Sequence, residues 1–406
     1  MENLSELLFP YSIDKFFADN WRKKGIYIAA QSREKFQHFF SWSVLSNLLN
    51  YHEKKYPSFR LAYEKKVLDE AENHNFLKHC QEGATVIIDG VDRRVPALGQ
   101  LASAIRYDLG VGHQVQVNAY CSWPGKQGFD CHYDTHEVFI LQIEGFKEWF
   151  VFPETIQAPL PDRPSADPPT DLEPYIHTCL APGDLLYIPR GHWHYAIAKE
   201  QPSVHLTLGV HCKTGLDFLD WLGNKLKDKK QWRENLPFGV KDLNSESLKT
   251  YVESLTTDLL NDLQAESLSS EYADYLASLE NPIASYDFPY QVGFGLEKID
   301  KDTEFYRPPF QRVMFDFNTE AEQYRVRVGN KEVKLSGVPP HFLKSIFTEE
   351  KFTGHDVCQW LENFDWEVEI HPLLLHFVKE RIIFINHSSA KSFINPDPSC
   401  SIKKRK

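Results

Sequence analysis

Six short runs of β-branched and aromatic residues, at 85–90, 115–120, 138–143, 148–152, 185–188 and 204–208, dominate the middle of this chain. Each is the length of one strand, and the first ends in Asp89-Gly90, a turn signal. No helical pattern stands between them. A parallel α/β sheet needs such helices as crossovers, so the expected core is mainly β, a sandwich or barrel, with helices outside it.

The flanks read differently. Residues 1 to about 90 are mostly helical and amphipathic, with helix starts at Ser12 and Ser41. After the core, Thr214-Gly215-Leu216-Asp217 has capping-box form, and Phe218, Leu219, Leu222 and Leu226 follow at helical spacing. Leu248, Tyr251, Val252, Leu255 and Leu259, then Leu268, Tyr272 and Tyr275, mark two more amphipathic helices. Their apolar faces either pack on the barrel or pair with another subunit, and periodicity leaves both open. Near the end, residues 324–328 and 332–335 flank Gly329-Asn330 as a hairpin. Helices are expected at 341–347, at 354–363 behind Thr353 and Asp356, and at 372–379, before a strand at 381–385. Helices ending in a β ribbon suggest a winged-helix arrangement. The expected divisions are an N-terminal helical region at 1–83, a β core at 84–213, a helical region at 214–295, a winged-helix-like domain at 296–395 and a basic tail at 396–406 ending in Lys403-Lys404-Arg405-Lys406. Eight prolines crowd the stretch between Phe152 and Gly183, which makes it a stiff insert, either a lid or a surface excursion.

Composition removes several classes. With 406 residues, 42% hydrophobic and 14% aromatic, the chain can build a large core. It lacks an apolar run of membrane-spanning length and a signal-peptide start. Seven irregularly placed cysteines without a CxxC argue for a reducing compartment, expected to be the cytoplasm, rather than a disulfide framework. The net charge of -12 argues against direct nucleic-acid binding, and Glu362, Asp365, Glu367 and Glu369 make the C-terminal unit a poor duplex reader. Phosphate-binding glycine loops, HExxH and GxSxG are absent.

The chemistry concentrates in His132-Tyr133-Asp134 and in Pro189-Arg190-Gly191-His192-Trp193-His194. Two imidazoles and one carboxylate can hold Fe(II) on one face and leave the other positions open. On a strand His132 and Asp134 share a face while Tyr133 points away. His192 competes with His194 for the third ligand; the Pro-x-Gly turn before the strand favours His194. His136, His205 and His211 read as core or rim groups, and Tyr133, Trp149 and Trp193 as packing. Lys147, fifteen residues after His132, begins another strand and could offer a cation to an anionic cosubstrate.

Asn118-Ala119-Tyr120, Gln127 to Asp134, Gln142 to Trp149 and Gly183 to His194 together resemble the JmjC ribosomal-oxygenase family, cupin-like enzymes dependent on Fe(II) and 2-oxoglutarate that modify protein side chains. The resemblance implies a double-stranded β-helix core. It implies His132, Asp134 and His194 as iron ligands, Lys147 for the far carboxylate of 2-oxoglutarate, and Asn118 and Tyr120 lining that pocket. Ser203 resembles a pocket serine of the family. The implied reaction consumes dioxygen and 2-oxoglutarate and hydroxylates a protein or peptide, by default a ribosomal protein. Tailoring of a ribosomally made precursor peptide and N-methyl removal are variants of it, and a non-enzymatic metal-binding cupin module is the alternative of another class. The helical region is then expected to make a homodimer, with no membrane involved.

Overall fold

The computed structural model describes residues 3–110, 112–162, 167–168, 170–237, 246–280, 286–319, 322–329 and 331–386. The chain divides into two compact units, Met1–Leu276 and Ala277–Lys406.

The first unit contains strands β1 (Ile26–Ile28), β2 (Phe59–Tyr63), β3 (Lys66–Val67), β4 (Thr85–Ile88), β5 (Gln114–Ser122) and β6 (His132–Tyr133). They are followed by β7 (Glu137–Glu144), β8 (Lys147–Glu154), β9 (Ile176–Leu180), β10 (Leu185–Ile188), β11 (His192–Ala198) and β12 (Ser203–His211). They form an eight-stranded sheet in the order β1-β10-β7-β12-β5-β4-β2-β3 and a four-stranded sheet in the order β6-β11-β8-β9. Between β5 and β12 the chain passes repeatedly from one sheet to the other, so β5, β12, β7 and β10 face β6, β11, β8 and β9. This is the expected double-stranded β-helix, a mainly β, cupin-like core.

Both faces of β7, β10 and β12 are buried, which explains why these strands read as nearly unbroken apolar runs. Val138 and Ile140 of β7 point between the sheets with Trp149, Val151, Leu186 and Ile188. Phe139, Leu141 and Ile143 point the other way, into a larger core shared with Leu4, Leu7, Phe16, Phe36, Leu98, Leu101 and Ile105. The N-terminal segment is tied down by Asp184, whose carboxylate accepts from the Ala30 backbone at 2.8 Å, from the Ala181 backbone at 2.9 Å and from the Tyr27 hydroxyl at 3.0 Å.

Two expectations need correction. The core is interrupted by a helix, Pro96–Leu109, opened by proline at its start. Its apolar residues Leu98, Leu101, Ala102 and Ile105 do have helical spacing, but Gly99, Ser103 and Ala104 are buried too, so the contrast between faces is low. The first 83 residues are also not only helical: they supply β1, β2 and β3, which extend the large sheet at both edges. The capping box at Thr214 and Asp217 opens Gly215–Leu226 as expected, and helices Glu246–Leu263 and Leu268–Ser278 follow.

In the second unit, β13 (Glu304–Tyr306) lies between β17 (Lys351–Thr353) and β18 (Phe384–Ile385), and β14 (Val313–Asn318), β15 (Gln323–Val328) and β16 (Lys331–Ser336) form a meander. The expected hairpin is β15–β16, with Asn330 outside the described residues, and the strand expected at 381–385 is only two residues long. Helices Pro340–Thr348, Gly354–Trp360 and His371–Lys379 close its core around Phe305, Phe342, Leu343, Ile346 and Phe377. The basic tail at 396–406 lies outside the described residues.

Gly145 fixes the turn from β7 into β8 and so the start of Lys147. Its φ is +66°, and an added Cβ would collide with the Pro202 carbonyl. Gln142 clamps the same turn, donating to the carbonyls of Glu144 at 2.8 Å and Gly145 at 3.2 Å. Gly145→Ala is expected to lower the unfolding free energy by at least about 2 kcal/mol, measured by urea denaturation.

Candidate active site

Strand pairing brings the two halves of the motif together. His194 of β11 stands directly opposite His132 of β6, and Trp193 opposite Tyr133. Trp193 and Tyr133 meet edge to face on the far side, centroids 4.9 Å apart, so both pack as expected. On the near side one ligand atom each from His132, Asp134 and His194 lies within 4.8 Å of the others. The Nδ1 of His132 donates to the Asp130 carbonyl at 2.7 Å, and the Nδ1 of His194 to the His192 carbonyl at 3.1 Å. Both rings therefore present Nε2 as a free lone pair, the form a metal needs. His192 is excluded from the cluster; its Nδ1 bonds the Tyr175 hydroxyl at 2.7 Å, and a bulge separates it from His194.

Electrostatics prepares the same donor set. Burial alone would raise the Asp134 pKa, but the imidazoles around it, His136 first, hold it below the ordinary value. Burial, helped by His132, pushes His194 down to about 4. At neutral pH the cluster thus combines an ionised carboxylate with a neutral imidazole, which suits a divalent cation.

A cavity of about 300 Å³ opens beside the cluster, lined also by Asn118, Tyr120, Lys147, Trp149 and His205. Lys147 is 5% exposed, and its ammonium donates to the Ser122 hydroxyl at 3.1 Å, which also accepts from Thr85 at 3.1 Å. No carboxylate pairs with it among the described residues. Buried charges are ordinarily paired, and here burial pushes the amine down to about 7. A metal-ligand cluster beside a cation without a counter-anion fits a ligand that chelates at one end and carries a carboxylate at the other. Asn118 accepts from the Gly90 backbone at 3.0 Å and from Gln116 at 3.1 Å, which leaves its amide nitrogen to donate. Tyr120 stacks on His205, and burial raises its pKa, so the phenol stays neutral.

Ser203 does not line the cavity. It is fully buried and accepts from Gln142 at 2.8 Å. The hydroxyl that reaches Lys147 belongs to Ser122, its direct opposite in the β5–β12 register. Trp149, read from sequence as packing, and His205, read as a core or rim group, are cavity walls, as are Arg60 and Thr85 from outside the expected motif. Strand period could have found two of these: Ser122 follows Asn118 and Tyr120 on one face, and Trp149 follows Lys147.

A profile of the JmjC domain matches residues 100–218, the stretch that builds most of this site. The chain is similar to ribosomal oxygenases. It is 29% identical to ribosomal oxygenase 1 of Bos taurus over 226 residues, 53% of this chain and 34% of that protein. It is 32% identical to ribosomal oxygenase 2 of Rattus norvegicus over 222 residues, 50% of this chain and 46% of that protein. A bifunctional lysine-specific demethylase and histidyl-hydroxylase of Dictyostelium discoideum is 30% identical over 51% of this chain and 42% of its own length. The matched region thus spans less than half of each of these JmjC relatives. Among solved structures, Escherichia coli YcfD in complex with cobalt and 2-oxoglutarate covers 93% of this chain and 99% of its own, with a TM-score of 0.60 at 17% identity, a likeness of fold.

The buried amine makes stability depend on pH. Between about 7 and the unfolded lysine value the unfolded chain holds a proton that the folded chain lacks, so the unfolding free energy rises with pH there. The slope reaches at most about 1.4 kcal/mol per pH unit and falls away below pH 7, where both states are protonated. Urea titrations from pH 7 to 9 should show this rise for the ligand-free protein, and Lys147→Met should lack it and be the more stable form at pH 7.

Proposed function

We propose that this chain is an Fe(II)- and 2-oxoglutarate-dependent dioxygenase that hydroxylates a side chain of a protein or peptide, with a ribosomal protein as the default substrate. One observation carries the reading: a three-donor cluster open on one side shares a small cavity with an unpaired buried ammonium. His132, Asp134 and His194 would hold the iron. Lys147 would take the far carboxylate of the cosubstrate, with Asn118 and Tyr120 beside it. Bound Fe(II) and 2-oxoglutarate supply the oxidising chemistry, in which one oxygen atom of dioxygen enters succinate and the other enters the product.

The protein's own part is positioning. The Nδ1 bonds of His132 and His194 fix their ring orientation. Ser122 and Thr85 hold the ammonium of Lys147 in place. The apolar walls Val138 and Ile140, with Phe129 near the ligands, limit water around the reacting centre. The names of the relatives favour protein substrates, and one of them adds N-methyl removal as a variant of the same chemistry. A winged-helix role for the second unit is supported by its three helices and β meander. Exposed Leu216, Leu219, Val252 and Leu260 on the post-core helices support a homodimer, and the six cysteines among the described residues, all unpaired, support a cytoplasmic setting.

Succinate formation by the pure protein with Fe(II) and 2-oxoglutarate is the direct test. Turnover should fall at least about a hundredfold in His132→Ala and Asp134→Ala, and Lys147→Ala should raise KM for 2-oxoglutarate more than it lowers kcat. Absence of succinate from the wild type with any protein substrate would leave the non-enzymatic module as the better reading. Mass spectrometry of proteins from cells with and without the gene identifies the substrate by the gain of one oxygen atom.

A further inference from the structure

His205 is 2% exposed, yet its Nδ1 is buried without a hydrogen-bond partner among the described residues. Packing alone holds it. Its ring stacks on Tyr120, centroids 4.9 Å apart and 7° from parallel, and meets Trp149 at 5.5 Å and 87°. On the sheet it sits between Tyr120 of β5 and Gln142 of β7. An apolar ring would satisfy those contacts equally well, so the nitrogens cost desolvation that the protein does not repay.

The two nitrogens are not equivalent. Nδ1 is enclosed by protein and unpartnered, which leaves Nε2 as the nitrogen able to meet a ligand in the cavity. A buried unpaired N–H is costlier than an unpaired acceptor, so the proton belongs on Nε2. Burial and the charge of Lys147 hold the imidazole neutral. A neutral ring with one N–H is a fixed donor in the same cavity as the unpaired ammonium.

We infer that His205 is a further binding residue for the cosubstrate, donating from Nε2 to the carboxylate that Lys147 receives, and that it makes the cavity selective for a 2-oxo acid with a second carboxylate. The inference rests on the proposed function. A carboxylate has lone pairs for both donors, and a hydrogen bond from a neutral donor to a charged acceptor adds strength without a second buried charge. Tyr120 and Trp149 then act as positioning residues, holding the ring in one orientation.

The test uses the full chain loaded with Mn(II), which binds without turnover, and calorimetric titration of two ligands. One is 2-oxoglutarate; the other is 2-oxopentanoate, which keeps the chelating end and lacks the far carboxylate. His205→Phe retains the ring contacts and removes the donor, and His205→Gln returns a donor near the Nε2 position. The expected result is about ten- to a hundredfold weaker binding of 2-oxoglutarate by His205→Phe, with recovery of part of that loss in His205→Gln. Binding of 2-oxopentanoate should stay within about twofold of wild type in both variants. Equal loss for both ligands, or no loss for 2-oxoglutarate in either variant, overturns the role of His205 and leaves the proposed function standing. Failure of the wild type itself to bind 2-oxoglutarate overturns both.

Discussion

The register of β11 against β6 is the constraint on which the site depends. His132 and His194 are far apart in sequence but share one position in the ladder. A slip of one residue would turn Trp193 and Tyr133 toward the cavity and both imidazoles away from it. The same strand β11 pairs with β8 on its other side, setting Ala196 opposite Trp149 and Ala198 opposite Lys147. One strand thus fixes the metal donors and the distance to the cation. Large and apolar, Trp193 and Tyr133 resist that slip, because either would be poorly accommodated on the polar face.

The polar groups of the cavity are arranged at a cost to the empty protein. A buried amine without a counter-anion and an imidazole without a partner both weaken the fold in the absence of ligand. The large apolar core on the other face of the main sheet, from Leu4 and Phe16 to Leu206 and Leu208, offsets that cost. Function sits between the sheets and stability is drawn mostly from outside them. This division lets the site keep groups that packing alone would replace.

Much of the site was legible because strands repeat every second residue. His132 with Asp134 announces a face by spacing, Lys147 stands out at the start of a strand, and the JmjC resemblance adds Asn118 and Tyr120. What stayed hidden depended on pairing across strands. Ser203 and Ser122 face each other in one ladder, and only the fold decides which reaches Lys147. His205 could not be told from an ordinary core histidine, since its role follows from being opposite Tyr120 and from an absent partner. Helix Pro96–Leu109 was masked by small residues on its buried side, and β1 and β3 by their brevity. Local pattern reveals which residues share a strand face; it does not reveal which strands meet.

The strands that the sequence concealed also change what counts as the site. Arg60 on β2 lines the cavity, held by an ion pair with Asp89 at 2.8 Å. Asp89 ends the run 85–90, and the next backbone N–H, of Gly90, is the one that Asn118 accepts. Thr85, at the start of the same run, bonds the Ser122 that holds Lys147. Gly128, a loop residue before His132, lies so close to Thr85 that a Cβ would stand 2.8 Å from its hydroxyl. The edge of the large sheet therefore braces the cavity wall through three separate bonds. The N-terminal region is part of the cavity's framework, because the residues that hold Lys147 and Asn118 in place are themselves held by β2 and β4.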